Sequence, residues 1–207
     1  MMALVRLNND FQIAAIAAAL LMPIAAVAQT ACMTASDLNL GITVTLDSGA
    51  TEVYRRDADD GAVVIVDGTD ESGPAYRLGL AQGILVQFFD VVDEGDRTNS
   101  VSTTYDYPVA PTDVPVPVPG MRWQVSAVRS DSKGETTEDQ SLQAGAVVPL
   151  AIGGCIYDSL PVTVSYGTAY VEEITYLPDL GFGFLHWFQN EGGERNTLTL
   201  ISLERAD

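Results

Sequence analysis

Histidine and cysteine are nearly missing from this sequence, and basic residues are scarce: its 207 residues include one His, two Cys and 10 Lys plus Arg, against 28 Asp plus Glu. Each shortage excludes a class of chemistry. A formal net charge of −18 rules against wrapping a phosphate backbone, which needs a basic face to release counterions, and against docking on anionic lipid. One His and two widely separated Cys cannot assemble a zinc ligand set. His186, the sole imidazole, lies in Phe182-Gly-Phe-Leu-His-Trp-Phe188, where strand geometry puts it on one face with Phe184 and Phe188 and leaves Leu185 and Trp187 on the other. With no orienting partner legible, it reads as a sheet residue rather than a base.

Known catalytic motifs are also lacking. There is no Gly-x-Ser-x-Gly elbow and no phosphate-cradling glycine loop. Ser130-Asp-Ser-Lys133 matches the Ser-x-x-Lys pattern of penicillin-recognising enzymes only formally, because it sits in a hairpin turn and not at a helix start. Glu172 and Glu173 are neighbours on a strand and face opposite sides of a sheet, so they cannot flank one glycosidic bond. Asp57, Asp59, Asp60 and Gly61, then Asp67, Asp70 and Glu71, then Asp90, Asp93, Glu94 and Asp96 form three acidic turns. None completes a calcium loop, and they read as solvated turns. No catalytic residue, metal ligand or cofactor is assigned.

Long apolar runs are absent except near the N-terminus. Arg6 precedes Ile13–Met22, then Pro23, then Ala26-Val-Ala28, which reads as a cleaved export signal over residues 1–28 rather than a membrane span, being shorter than the ~20 apolar residues a bilayer requires. Cleavage removes Arg6 and Asp10 together, so the net charge of residues 29–207 stays at −18. Export places the chain in a periplasm or outside the cell, an oxidising compartment where an even cysteine count implies a Cys32–Cys155 disulfide. No stable membrane span is expected after cleavage.

What the chain does have is apolar residues, 47% of the total against 18% charged. That is too hydrophobic for an acidic disordered chain. They recur with period two. Ile42, Val44 and Leu46 alternate with Thr43 and Thr45; Met121, Trp123, Val125 and Ala127 with Arg122, Gln124 and Ser126; Val162, Val164 and Tyr166 with Thr163 and Ser165. Further strands are expected at Thr51–Arg56, Ala62–Asp67, Ala75–Leu80, Ile84–Val92, Val101–Tyr107, Ala146–Ile152, Tyr170–Leu177, Phe182–Gln189 and Asn196–Glu204. Turn chemistry separates them at Asp47-Ser-Gly49, Asp57–Gly61, Asp131–Gly134, Pro178–Gly181 and Glu191-Gly-Gly193. One short helical turn is expected at Thr34–Leu38. The fold class is therefore all-β: a single antiparallel meander of about a dozen strands, forming a curved open sheet or half-barrel, with a β-sandwich as the alternative. Residues 107–120 carry five prolines and read as a stiff connection that cannot be a central strand.

Gly153-Gly-Cys-Ile-Tyr157 and Tyr176-Leu-Pro-Asp-Leu-Gly181 resemble late strands and turns of curved-sheet periplasmic proteins of the lipoprotein-carrier type. That resemblance implies an open, half-closed antiparallel barrel and transfers no functional residue. The leading expectation is a non-catalytic envelope protein holding an apolar small molecule or an envelope partner on a concave aromatic face, with Trp123, Tyr166, Tyr176, Phe182, Phe184 and Trp187 as candidate lining. The alternatives are a hydrolase whose carboxylates converge on folding, and an interaction module using the proline-rich segment.

Overall fold

A computed structural model describes residues 31–69, 75–92 and 101–206. The expected leader, residues 1–28, and the acidic residues Asp70, Glu71, Asp93, Glu94 and Asp96 lie outside the described residues. The strands are β1 (Ile42–Leu46), β2 (Thr51–Arg56), β3 (Val63–Thr69), β4 (Ala75–Ala81), β5 (Leu85–Val92), β6 (Val101–Asp106), β7 (Arg122–Asp131), β8 (Gly134–Ala144), β9 (Val148–Ile152), β10 (Cys155–Tyr166), β11 (Tyr170–Leu177), β12 (Phe182–Asn190), β13 (Asn196–Thr197) and β14 (Leu200–Arg205). Every pairing is antiparallel, and all but one follow chain order or join β14 back to β1. The fold is an open all-β sheet, a meander as the alternation requires.

The exception centres on β10. Its first half, Cys155–Ser159, pairs with β9, and its second half, Val162–Tyr166, pairs with β8. Pro161 sits at the changeover, where a missing backbone donor costs nothing because neither partner strand lies opposite it on that edge. Its carbonyl accepts from Gly145 N at 2.8 Å. β8 is a strand that apolar alternation does not announce. The expected strand Asn196–Glu204 is in fact two, β13 on β12 and β14 on β1, and these are the two ends of the sheet path. Between them Leu198 N donates to His186 O at 2.7 Å, and Asp47 N donates to Thr199 O at 2.9 Å. Among the described residues no ladder closes the sheet, but two residues of chain carry it from one edge to the other.

A bulge corrects the expected faces of β12. Ile174 pairs with Leu185 and Glu173 with Trp187, which leaves His186 as an extra residue. Beyond it the alternation is out of phase, so Leu185 and Phe188 face the same interior.

Two buried clusters hold Cys32–Asp207 together as one unit. The first joins Leu38, Ile42, Val44, Tyr54 and Val66 to Leu177, Leu180 and Phe182; the second joins Ile84, Leu85 and Tyr107 to Leu142, Leu160, Val162 and Tyr176. Phe182 on β12 lies against Tyr54 on β2 with ring centroids 4.4 Å apart. Those strands are distant along the sheet path, so the sheet curves until its far parts touch. The helical turn is a single 3-10 turn, Asp37–Asn39. Asp37 accepts from Thr34 N and Thr34 Oγ1, at 2.9 and 2.8 Å, and from Arg205 Nη2 at 2.5 Å. These contacts, Thr34 first, hold its carboxyl below the usual carboxylate range. The Cys32–Cys155 disulfide is formed, with Cα atoms 5.7 Å apart, and it fastens this turn to the start of β10.

The proline-rich segment is the β6–β7 connection, as its composition requires. It is pinned at Val114, which is 3% exposed, and at Pro111, whose carbonyl accepts from Gln82 Nε2.

Candidate functional site

The concave side of the curved sheet encloses a chamber of about 810 Å³, within the range of small-molecule sites. Its apolar wall comes from Leu78 and Leu80 on β4, Val86 and Phe89 on β5, Ile174 on β11, and Leu185 and Phe188 on β12. Each sits at an inward position of its strand, with bulges in β5 and β12 bringing Val86 and Phe89, and Leu185 and Phe188, to the same face.

Polar groups enter this wall as two carboxylates, each held by two tyrosines. Glu52 is 7% exposed; its Oε2 accepts from Tyr54 Oη at 2.5 Å and its Oε1 accepts from Tyr76 Oη. The second contact spans a strand. Glu52 stands opposite Gly68 on β3, and Gly68 stands opposite Tyr76 on β4. A Cβ at Gly68 would lie 2.1 Å from the Tyr76 ring, so the glycine is the slot across which that ring reaches the carboxylate. Glu172, 8% exposed, accepts from Tyr166 Oη at 2.7 Å and from Tyr170 Oη at 3.0 Å.

Burial pushes the Glu172 carboxyl up, and the two hydroxyls offset that only in part. Burial, followed by the neighbouring Glu52 or Glu172 charge, pushes Tyr54, Tyr166 and Tyr170 well above the ordinary tyrosine range. They are neutral donors at working pH, which fixes the direction of every Tyr-to-Glu bond.

A raised carboxyl in the folded state favours folding fully when pH lies below its unfolded value, and the advantage is lost as pH rises through the folded one. Glu172→Gln, which has no charge to bury, therefore melts above the parent at pH 8, with the difference closing toward pH 4. Thermal melts across that range check it; a gap independent of pH contradicts the burial of a charge.

Two further groups complete the wall. Glu138 accepts from Gln140 Nε2 at 2.9 Å, and Tyr107 Oη lies 2.9 Å from Gln140 Oε1. Arg129 Nη2 pairs with Asp131 at 2.7 Å, while its buried Nε has no hydrogen-bond partner.

Of the six aromatic candidates, Tyr166 stands in the chamber wall. Tyr176, Phe182 and Phe184 fill the buried clusters. Trp123 packs half-buried against the second cluster, and Trp187 lies under Arg195, whose guanidinium carbon is 3.9 Å from the ring centroid. His186 hydrogen-bonds through Nδ1 to Leu198 O at 3.1 Å, at the seam between β12 and β13. The Asp57 carboxylate accepts from Asp59 N and Asp60 N, and Asp67 faces Arg55 and Arg77; among the described residues no three His, Cys, Asp or Glu are grouped to hold a metal. Glu52, Tyr54, Tyr76, Tyr105 and Tyr170 were not singled out from the sequence. The available signal was a Glu two residues from a Tyr on one strand face, in Glu52-Val-Tyr54 and Tyr170-Val-Glu172.

No protein-family model matches the chain, no curated protein matches it in sequence, and no solved structure matches its fold.

Proposed function

We propose that this is an exported, non-catalytic binding protein that takes an apolar small molecule into the concave interior of its curved sheet. The chamber carries the reading: it is large enough for a ligand and lined mainly by aliphatic and aromatic side chains, with a few convergent polar groups. Holding is favoured over hydrolysis because both oxygens of Glu52 and both oxygens of Glu172 already accept a tyrosine hydroxyl. Two hydroxyl ties per carboxylate make each of them a fixed part of the wall. The Ile13–Met22 run with Ala26-Val-Ala28 and the Cys32–Cys155 bridge support an oxidising, extracytoplasmic setting.

Titration with N-phenyl-1-naphthylamine, a neutral apolar fluorophore, tests the reading. Saturable binding at one site per chain is expected, weakened at least about tenfold by Leu78→Trp, which fills the chamber. Absence of saturable binding to the parent protein overturns the proposal.

A further inference from the structure

The character of the chamber wall says what kind of head group an apolar ligand would carry, an argument that rests on the binding role proposed above. Around Glu172 the rings form a continuous series. Tyr105 and Tyr166 have centroids 6.5 Å apart, Tyr166 and Tyr170 5.5 Å, and Tyr170 and Phe188 6.1 Å. Register explains the arrangement. Tyr166 faces Tyr170 across the β10–β11 turn, and Glu172 faces Phe188 across the β11–β12 ladder, so one carboxylate stands among three rings on adjoining strands, and Tyr105 on β6 meets Tyr166 from across the concave face.

Glu172 and the two tyrosines that hold it can accept but have little to donate. The hydroxyl protons of Tyr166 and Tyr170 are committed to Glu172, leaving oxygen lone pairs and π systems as what these tyrosines offer an occupant. Each Glu172 oxygen takes one such bond and has a second lone pair. Of the charged side chains lining the chamber, Glu52, Glu138 and Glu172 are acidic and Arg129 is basic, its guanidinium already paired with Asp131. The Arg129 Nε has no hydrogen-bond partner, and the guanidinium charge is already shared with Asp131. An anionic head group would meet a negative wall within a chain of net charge −18. A cation would meet ring quadrupoles and carboxylates, the pairing that cation–π attraction and charge complementarity both favour.

We infer that the Glu172 end of the chamber is a cation subsite, formed with Tyr105, Tyr166, Tyr170 and Phe188, and that the ligand is an amphiphile carrying an ammonium group on an apolar body.

Displacement of N-phenyl-1-naphthylamine by three eight-carbon amphiphiles below their aggregation concentrations tests this: octyltrimethylammonium, octanol and octanoate. The ammonium is expected to displace the probe at about one tenth of the alcohol concentration, and octanoate to be weaker than the alcohol. Glu172→Gln should bring the ammonium to the level of the alcohol. Parent protein that binds the probe but ranks the ammonium no better than the alcohol overturns the cation subsite while leaving the binding role intact. An ammonium preference that survives Glu172→Gln overturns its assignment to this residue. A parent that binds no probe overturns both.

Discussion

Replacing Cys32 and Cys155 together by Ser is expected to lower the melting temperature by about 10–20 °C, read by circular dichroism under conditions where the parent unfolds reversibly. The cysteines are 123 residues apart, and in the chain-entropy account a loop of that length restricts the unfolded chain by about 5 kcal/mol. A domain of this size shifts about 2–4 °C per kcal/mol. The native side of the balance points the same way. The bridge anchors a segment held otherwise by buried Leu38, the Asp37–Arg205 pair and the bond from Met33 N to Tyr157 Oη at 2.9 Å. With the covalent tie gone, fraying of this segment exposes the edge of the first buried cluster. An unchanged melting temperature contradicts a structural role for the bridge.

Phe182→Ala is expected to cost about 3–5 kcal/mol, the range for deleting a fully buried phenyl group, or about 6–20 °C in melting temperature. Phe182 is 0% exposed and belongs to the cluster joining Tyr54, Val66 and Leu180. Its loss opens a void where β12 packs against β2 across the concave side. Because Phe182 is packed behind the chamber, the variant should still bind the neutral probe saturably at a temperature where it is folded. Unchanged stability with lost binding would instead make Phe182 a wall residue.

How far the fold could be read in advance depended on whether inward positions were apolar. Thr51–Arg56 and Tyr170–Leu177 match β2 and β11 residue for residue, because Tyr54 or Ile174 and Tyr176 mark the buried face and turn residues bound each run. β8 escaped because two of its inward positions are the half-buried Glu138 and the buried Gln140, polar side chains that bond to each other and, through Gln140, to Tyr107. The bulge at His186 left no local trace and reversed the facing of half a strand. The disulfide was legible from the cysteine count and the expected export alone.

The site was less legible than the fold. Alternation tells which face of a strand is buried but not whether that face meets a packed neighbour or a gap, so Tyr166 in the wall and Phe184 in a packed cluster look alike in sequence. Glu172 and Glu173 were correctly separated onto opposite faces, but the partners that define Glu172 come partly from β10. Glu52 needs Gly68 and Tyr76 on two further strands. Such cross-strand rows exist only once the register is set.

The central claim, that the concave face of the sheet encloses a chamber able to take an apolar occupant, is tested most directly by locating one there. Anomalous diffraction from crystals soaked with 1-bromonaphthalene should place bromine among Leu78, Phe89, Ile174 and Leu185. Bromine found only on the outer surface, with those four side chains packed against one another, would contradict it.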